Sequence, residues 1–321
     1  MPQIDVLMPN PMMPMIATAL EGKVTLHKLY EAADPAAMLA KVAPAIEAMA
    51  VGGGHQPING AYMAQFPRLK LVSSFGVGYD HIDAAYAGRN GIMVTNTPDV
   101  LNDEVADTAM GLLLATVRQL PQAEKYLRAG LWPKGNFPLT ASLSGKTMGI
   151  VGLGRIGKAI AARAQAFGLK IAYHGRNRQA AAPFTYYADL TAMAAACDIL
   201  MVITPGGPQT RHMINAEVLA ALGPQGVLIN VARGSVVDEA ALIAALQTGK
   251  LGTAGLDVFA DEPHVPQALI AMPHVVLLPH VGSATHHTRN AMAQLVIDNI
   301  LCLAEGRPLL TPVAETPPSR L

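Results

Sequence analysis

The stretch TMGIVGLGRIGKAIAARAQAFG, residues 147–168, decides the fold of the second half of this 321-residue chain. Three glycines in GxGxxG spacing follow a short apolar run and open an alanine-rich helical pattern. The first allows a tight turn, the second a close approach to a pyrophosphate, and the third close packing of helix on strand. The helix N-terminus offers free N–H groups to phosphates. The stretch predicts a dinucleotide-binding loop with cofactor contacts from Gly152, Gly154, Arg155, Ile156 and Gly157.

The next apolar run ends at the segment Gly175-Arg176-Asn177-Arg178, which predicts the choice of cofactor. An NAD-binding protein normally has Asp or Glu near this point to bind the ribose 2′-hydroxyl. This chain has no acidic residue between Gly168 and Ala188. Because Arg176 and Arg178 flank Asn177 and suit a 2′-phosphate dianion, we expect NADP (NADPH) to be the cofactor.

Outward from this stretch, apolar runs of strand length alternate with helical patterns, which is typical of an α/β fold with parallel sheets. The first third has predicted strands at 4–8, 70–74 and 92–95 and a helix at 82–89. A second series, which suits a full dinucleotide-binding sheet, has predicted strands at 148–152, 170–173, 199–204, 227–231, 254–258 and 275–278. Further helices are predicted at 102–119, 238–247 and 285–305, followed by a frayed tail from 311. Periodicity leaves open whether two domains are consecutive or one interrupts the other.

Composition narrows the class of protein. Lys+Arg and Asp+Glu both total 23, so no basic field is available for nucleic acid or a membrane surface. The two cysteines, Cys197 and Cys302, form no CxxC pair, which favours a reducing cytoplasm over a disulfide scaffold. The N-terminus lacks the pattern of a signal peptide, and no apolar run is long enough to span a bilayer. We expect a cytoplasmic protein that binds a small molecule and no metal.

Polar residues follow several of the predicted C-terminal strands, at the sheet edge where open α/β folds bind ligands. Arg233, Glu262 and His280 together form the set needed to reduce a 2-oxo acid. A guanidinium binds a carboxylate bidentately, and histidine exchanges a proton near neutral pH. A neighbouring carboxylate stabilises the charged imidazolium. The sequence therefore predicts Arg233 as the carboxylate-binding residue, His280 as the proton donor and Glu262 as its partner.

Seven motifs together make the chain resemble the D-isomer-specific 2-hydroxyacid dehydrogenase family, and within it the NADP-dependent glyoxylate/hydroxypyruvate reductase branch. The resemblance extends over nearly the whole chain after the first forty or so residues. The motifs are FGVGYDHID (75–83), NDEVADTAMGLLL (102–114), GLWPKGNFPL (130–139), VGLGRIGKAIA (151–161), NVARGSVVDEAAL (230–242), LDVFADEP (256–263) and PHVGSATHHTR (279–289).

The resemblance implies two doubly wound parallel-sheet domains, with a Rossmann cofactor domain inserted into a flavodoxin-like substrate domain. It implies substrate-domain segments at 1–98 and 286–321, around an NADP-binding domain at 99–285. Asp257 and Gly282 are expected beside the cofactor. The backbone of Gly76, Val77 and Gly78 is expected to bind the substrate carboxylate, because glycines let the chain approach a small anion. The stretch 51–55 is expected to border the same cleft.

The resemblance also implies a homodimer in which an arm, residues 119–139, embraces the partner and carries Trp132 towards the neighbouring active site. The substrate stays open among glyoxylate, hydroxypyruvate, a 2-keto sugar acid and an aryl pyruvate. Two alternatives share the fold: a dinucleotide-sensing corepressor that keeps similar polar residues, and another dehydrogenase of the family. The segment 175–178, which has arginines where an acidic residue is usual, disfavours the corepressor. Among the other dehydrogenases, formate dehydrogenases have Gln at the position of Glu262.

Overall fold

The computed structural model describes residues 3–52 and 57–316. It divides into two compact units. The first unit combines both ends of the chain, Met1–Leu101 and Thr285–Leu321, and the second is Asn102–Ala284. The second unit is therefore an insertion within the first in the order of the chain.

The first unit is built on a sheet of five parallel strands. These are β1 (Asp5–Met8), β2 (Thr25–Lys28), β3 (Ile46–Gly52), β4 (Leu71–Phe75) and β5 (Met93–Thr95). Their spatial order is β2-β1-β3-β4-β5. This 2-1-3-4-5 order is that of flavodoxin-like folds, as the sequence predicts.

Helices cover both faces of this sheet and give it two apolar cores. The helices of the first unit are α1 (Pro14–Leu20), α2 (Pro35–Val42), α3 (Gly60–Met63), α4 (Ala84–Arg89) and α12 (His286–Ala304). The long helix α12 buries Val296 and Ile300 against the side of the sheet that carries Leu71. It begins after Thr285, whose side chain accepts the N–H of Thr288 and so caps the helix.

Two strands of the first unit, β2 and β3, were not predicted. Strand β2 lies at the sheet edge and is only partly buried, so its sequence TLHK lacks the expected apolar signal. Strand β3 is buried on both faces, and its sequence IEAMAVG has no period-two alternation. Its one charged residue, Glu47, is buried as well, so periodicity does not distinguish this run from a buried helix.

The predicted frayed tail is wrong for residues 311–316. Pro312 forms an antiparallel bridge with Thr95, and the N–H of Val313 donates to the carbonyl of Val94 at 3.0 Å. The Thr316 hydroxyl also bonds both backbone groups of Val94. Because β5 is an edge strand, its unpaired backbone groups are available to this segment, which joins it through one isolated antiparallel bridge.

The second unit is built on a sheet of seven parallel strands. These are β6 (Thr147–Val151), β7 (Lys170–His174), β8 (Thr185–Tyr187), β9 (Ile199–Val202), β10 (Val227–Asn230), β11 (Thr253–Leu256) and β12 (Val276–Leu277). Their order is β12-β11-β10-β9-β6-β7-β8, which contains the 3-2-1-4-5-6 order of a Rossmann sheet. The predicted fold class is confirmed, and all six predicted strands form.

The strand missed in this unit is β8, a three-residue edge strand of sequence TYY. The helices are α5 (Asn102–Val117), α6 (Leu120–Arg128), α7 (Arg155–Ala166), α8 (Leu190–Ala196), α9 (Ala216–Leu222), α10 (Glu239–Gln247) and α11 (Gln267–Ile270). Three further single turns have 3₁₀ geometry, at Leu29–Glu31, Trp132–Lys134 and Gly234–Val236. Helix α5 packs closely on β11, where a Cβ on Gly255 would lie 2.4 Å from the Thr116 hydroxyl.

Within residues 3–52 and 57–316, no helix is both long and apolar enough to cross a membrane. The two cysteines are free and buried, one in each unit.

The docked tail yields a stability prediction. Val313 is buried in one core of the first unit, so we expect Val313→Ala to lower the free energy of unfolding by about 1–3 kcal/mol. Leu310→Ala is the matched control because Leu310, in the same tail, is about half exposed. Thermal unfolding followed by circular dichroism measures both. Equal melting temperatures for the two variants would contradict the docking of the tail.

Candidate functional site

The imidazole of His280 and the carboxylate of Glu262 form a direct hydrogen bond. His280 Nδ1 lies 2.7 Å from Glu262 Oε2. The His280 side chain is 45% exposed and that of Glu262 is 31% exposed, so the pair lies at the surface of the second unit. Because an ionised carboxylate only accepts hydrogen bonds, Nδ1 carries the proton in this contact. The other ring nitrogen, Nε2, is then the one available for proton exchange.

Glu262 is itself fixed by the chain around it. Its second oxygen, Oε1, accepts the backbone N–H of Phe259 at 3.0 Å. Burial acts to raise the pKa of Glu262, but the hydrogen bonds from His280 and Phe259 and the charges of His280 and Arg233 outweigh it. The pKa of Glu262 therefore lies below its ordinary value. At neutral pH the carboxylate is ionised and stabilises a positive charge on the imidazole.

Arg233 stands at the turn that follows β10 and is half-buried. The next residue, Gly234, packs so closely on another loop that a Cβ would lie 1.9 Å from the carbonyl of Phe259. Only a glycine fits there. The turn that carries Arg233 is thereby packed against the segment that holds Glu262, and the guanidinium charge acts on that carboxylate.

Asp257 fixes the backbone around His280. It is 2% exposed, and its two carboxylate oxygens accept the N–H groups of Val281 and Gly282 at 2.7 and 2.9 Å. Its carbonyl also accepts the N–H of His280 at 2.9 Å. Burial raises the pKa of Asp257, although the two backbone N–H groups act to lower it. His280 has a φ of 53°, a left-handed conformation that a non-glycine residue adopts only when its surroundings impose it.

The glycine-rich loop has the close contacts that the sequence predicts. A Cβ on Gly152 would lie 2.9 Å from the backbone of Thr204, and one on Gly157 would lie 2.2 Å from the carbonyl oxygen of Gly152. Gly154, by contrast, has open space around it. It is the N-cap residue of α7 and, as a glycine, has no side chain to occupy the N–H groups of the first turn. The first turn of α7, with exposed Arg155 and half-buried Ile156, therefore keeps its N–H groups available for an anion.

The segment after β7 also leaves room for a ligand. A Cβ on Gly175 would meet no atom within 4 Å. Arg176, Asn177 and Arg178 are exposed and follow directly. The next residue is Gln179, whose side-chain amide donates to the carbonyl of Leu153 in the glycine-rich loop at 2.7 Å. The structure thus links the two loops that the sequence assigned to the cofactor.

The predicted substrate loop lies at the end of β4 in the first unit. The carbonyl of Gly76 accepts the N–H of Thr97, and the carbonyl of Val77 accepts the Asn96 side chain at 2.8 Å. Both bonds are accepted by backbone carbonyl groups, and they hold Gly76 and Val77 in place. The predicted neighbour, residues 51–55, lies outside the described residues from Gly53 onward.

Some residues that shape the site were not predicted. Asn230 is buried at the end of β10 and brackets the turn before Arg233. Its amide donates to the carbonyl of Arg233 and accepts the N–H of Ala232, both at 3.0 Å. A polar residue directly after a buried apolar run was its only signal in the sequence. Gln179 had no such signal, because the carbonyl of Leu153 that its side chain binds is distant along the chain.

Comparisons with known proteins agree with this geometry. The family model described as D-isomer specific 2-hydroxyacid dehydrogenase, NAD binding domain, matches residues 110–282. A hydroxyphenylpyruvate reductase of Plectranthus scutellarioides is 46% identical over 98% of this chain and 100% of its own length. A glyoxylate/hydroxypyruvate reductase A of Arabidopsis thaliana has the same identity and coverage.

A solved structure is similar over nearly all of both chains. It is the NADPH-dependent glyoxylate/hydroxypyruvate reductase of Sinorhizobium meliloti in complex with NADP and malonate. Identity is 48%, the TM-score is 0.92, and the match covers 99% of each chain. The chain therefore belongs to the D-isomer specific 2-hydroxyacid dehydrogenase family. Within it the chain resembles the glyoxylate/hydroxypyruvate reductases, so the resemblance inferred from the sequence is confirmed.

The lowered pKa of Glu262 yields a prediction about pH. A carboxylate whose pKa is lower in the folded protein stabilises the fold above its ordinary pKa and loses that contribution as the pH falls through the folded value. We expect Glu262→Gln to destabilise the protein by about 1 kcal/mol at pH 7, with a difference that shrinks below about pH 4.5. Because the contribution is lost only below the ordinary pKa, melting temperatures of both proteins between about pH 3 and about pH 7 measure this. Glu217→Gln is the control, since Glu217 is exposed on α9. A difference that did not change with pH would contradict the assignment.

Proposed function

We propose that this protein reduces a small 2-oxo acid to the D-2-hydroxy acid, with NADPH as the hydride donor and His280 as the proton donor. The observation that carries the proposal is the hydrogen bond between His280 Nδ1 and Glu262 Oε2, 2.7 Å long, beside the turn of Arg233. The functions of the three relatives described above support it, because each is a reductase of a 2-oxo acid. Whether the substrate is glyoxylate, hydroxypyruvate, a sugar acid or an aryl pyruvate depends on the residues that surround the carbonyl.

The residues of the chain suit the proposed steps. NADPH supplies the hydride, and its diphosphate fits the N-terminus of α7, where Gly154 leaves open space. Arg233 holds the substrate carboxylate. His280 delivers a proton from Nε2 to the substrate oxygen while Glu262 stabilises the imidazolium. Asp257 and Gly282 maintain the turn that aims the imidazole.

These assignments give each unit a role. We assign cofactor binding to the unit Asn102–Ala284, which holds the glycine-rich loop, the Arg176–Arg178 segment and the pair of His280 and Glu262. We assign substrate binding to the other unit, which holds the loop at 76–78. The two buried free thiols, Cys197 and Cys302, support a location in the reducing cytoplasm.

The proton-donor assignment is tested with His280→Ala. We expect turnover of glyoxylate or hydroxypyruvate with NADPH to fall by about a hundredfold or more, because the proton donor is removed. NADPH binding, followed by quenching of protein fluorescence, should change little. His264→Ala is the matched control, since His264 is strongly exposed and only 16 positions away in sequence. Unchanged turnover in His280→Ala would refute the role. A wild-type protein that binds NADPH but turns over no 2-oxo acid would instead favour a binding protein of the same fold.

The cofactor assignment is tested by comparing NADPH with NADH. Charge-assisted contacts to the 2′-phosphate make us expect kcat/KM with NADPH to exceed that with NADH by at least about tenfold. The double variant Gly175→Asp with Arg176→Ala should erase or reverse this preference, because an acid there repels the phosphate and suits a 2′-hydroxyl. Arg128→Ala, at an exposed position on α6, serves as the control. Equal use of both cofactors by the wild-type protein would refute the assignment.

We also propose a homodimer formed through the arm at 119–139. The arm exposes apolar side chains, which is typical of a surface that a partner covers: Leu120, Leu127, Leu131, Trp132 and Leu139. Trp132 is 63% exposed. Light scattering should give the mass of a dimer for the wild type and a smaller mass for Trp132→Asp with Leu139→Asp. Phe167→Asp, at an exposed apolar position outside the arm, should remain dimeric. A wild-type monomer at micromolar concentration would exclude the dimer.

A further inference from the structure

Gln179 ends the segment Gly175–Arg178 and is held by three hydrogen bonds. Its backbone N–H donates to the hydroxyl of Tyr173 at 2.8 Å. Its side-chain Nε2 donates to the carbonyl oxygen of Leu153 at 2.7 Å. Its own carbonyl accepts the N–H of Ala182 at 3.1 Å. A surface residue fixed through its backbone and its side chain defines the position of the chain on either side of it.

The other end of the segment is fixed as well. The Tyr186 hydroxyl donates to the carbonyl of Gly175 at 3.2 Å, and the N–H of Gly152 donates to the carbonyl of His174 at 2.9 Å. The rings of Tyr173 and Tyr186 pack with their centroids 5.2 Å apart. Tyr173 is 1% exposed, so the hydroxyl that holds Gln179 belongs to a rigid part of the core.

Only Arg176, Asn177 and Arg178 lie between these fixed ends, and all three are exposed. We propose that Gln179, held by Tyr173 and by the carbonyl of Leu153, is a positioning residue that sets the preference of this protein for a 2′-phosphorylated nucleotide. The inference rests on the proposed use of NADPH. It adds a residue that contacts the glycine-rich loop and the arginine segment at the same time.

The physical reason is preorganisation. Two long arginine side chains on a freely moving loop would lose conformational entropy on binding a phosphate, which weakens the complex. The hydrogen bonds of Gln179 restrict the backbone before the ligand arrives. They also hold the arginine segment at a fixed distance from the loop that is expected to bind the diphosphate. A nucleotide that has both a diphosphate and a 2′-phosphate then finds the glycine-rich loop and the arginine segment already correctly spaced. A nucleotide without the 2′-phosphate gains little from the arginines.

The test uses the full-length protein and two probes that differ only in the 2′-phosphate, adenosine 2′,5′-bisphosphate and AMP. Isothermal titration calorimetry measures their dissociation constants for wild type and for Gln179→Ala. Loss of one hydrogen bond should weaken binding of the bisphosphate by roughly three- to tenfold and change AMP binding by less than about twofold. Gln247→Ala is the matched control, because Gln247 is exposed at the end of α10.

Tyr173→Phe is the second variant, since it keeps the ring and removes the hydroxyl that accepts from Gln179. It should reproduce the selective loss for the bisphosphate, and circular dichroism should show a folded protein. The kinetic counterpart in both variants is a raised KM for NADPH with kcat unchanged. Equal weakening of both probes, or no weakening of either, would overturn the inference. If the wild-type protein bound the two probes equally well, the proposed use of NADPH would itself be wrong.

Discussion

The parallel arrangement of the seven-stranded sheet is the constraint on which the rest of the site depends. All strands of this sheet point the same way, so the residues that follow them meet at one edge. The glycine-rich loop follows β6, the arginine segment follows β7, and Arg233 follows β10. Asp257 and His280 come after β11 and β12 in the same way. Residues far apart in the sequence, such as Gly152 and His280, are thereby brought to the same edge of the sheet.

At that edge, backbone groups and the carboxylates of Asp257 and Glu262 hold the proposed proton donor in place. Asp257 accepts two consecutive N–H groups directly after His280 and fixes the left-handed backbone of the histidine. Glu262 uses one oxygen for the Phe259 N–H and the other for the imidazole. The two carboxylates differ in their surroundings, and the pKa shifts differ in direction: burial dominates at Asp257, and hydrogen bonds and positive charge dominate at Glu262. Asp257 therefore holds the backbone in place, and Glu262 balances a positive charge on the imidazole of His280.

The cofactor side of the site follows a different principle, in which glycines create space and hydrogen bonds define it. Gly152 and Gly157 allow the helix and strand to touch, while Gly154 and Gly175 leave open positions. The arginine segment is exposed and short, and its ends are fixed by Tyr186 and Gln179. We therefore infer that selectivity among nucleotides depends on Tyr173 and Gln179 as well as on the arginines.

The sequence by itself determined the Rossmann sheet, the family, and the roles proposed for Arg233, Glu262 and His280. It could do so because glycine spacing and polar residues after apolar runs are local signals. Strands β2, β3 and β8 were not predicted. Strands β2 and β8 are short edge strands, and β3 is buried on both faces. Only the tertiary structure showed that residues 311–316 pair with β5 and that Gln179 joins two loops. Both depend on hydrogen bonds between residues that are far apart in the sequence. The path of the folded chain brings these residues together, and no local pattern predicts that path.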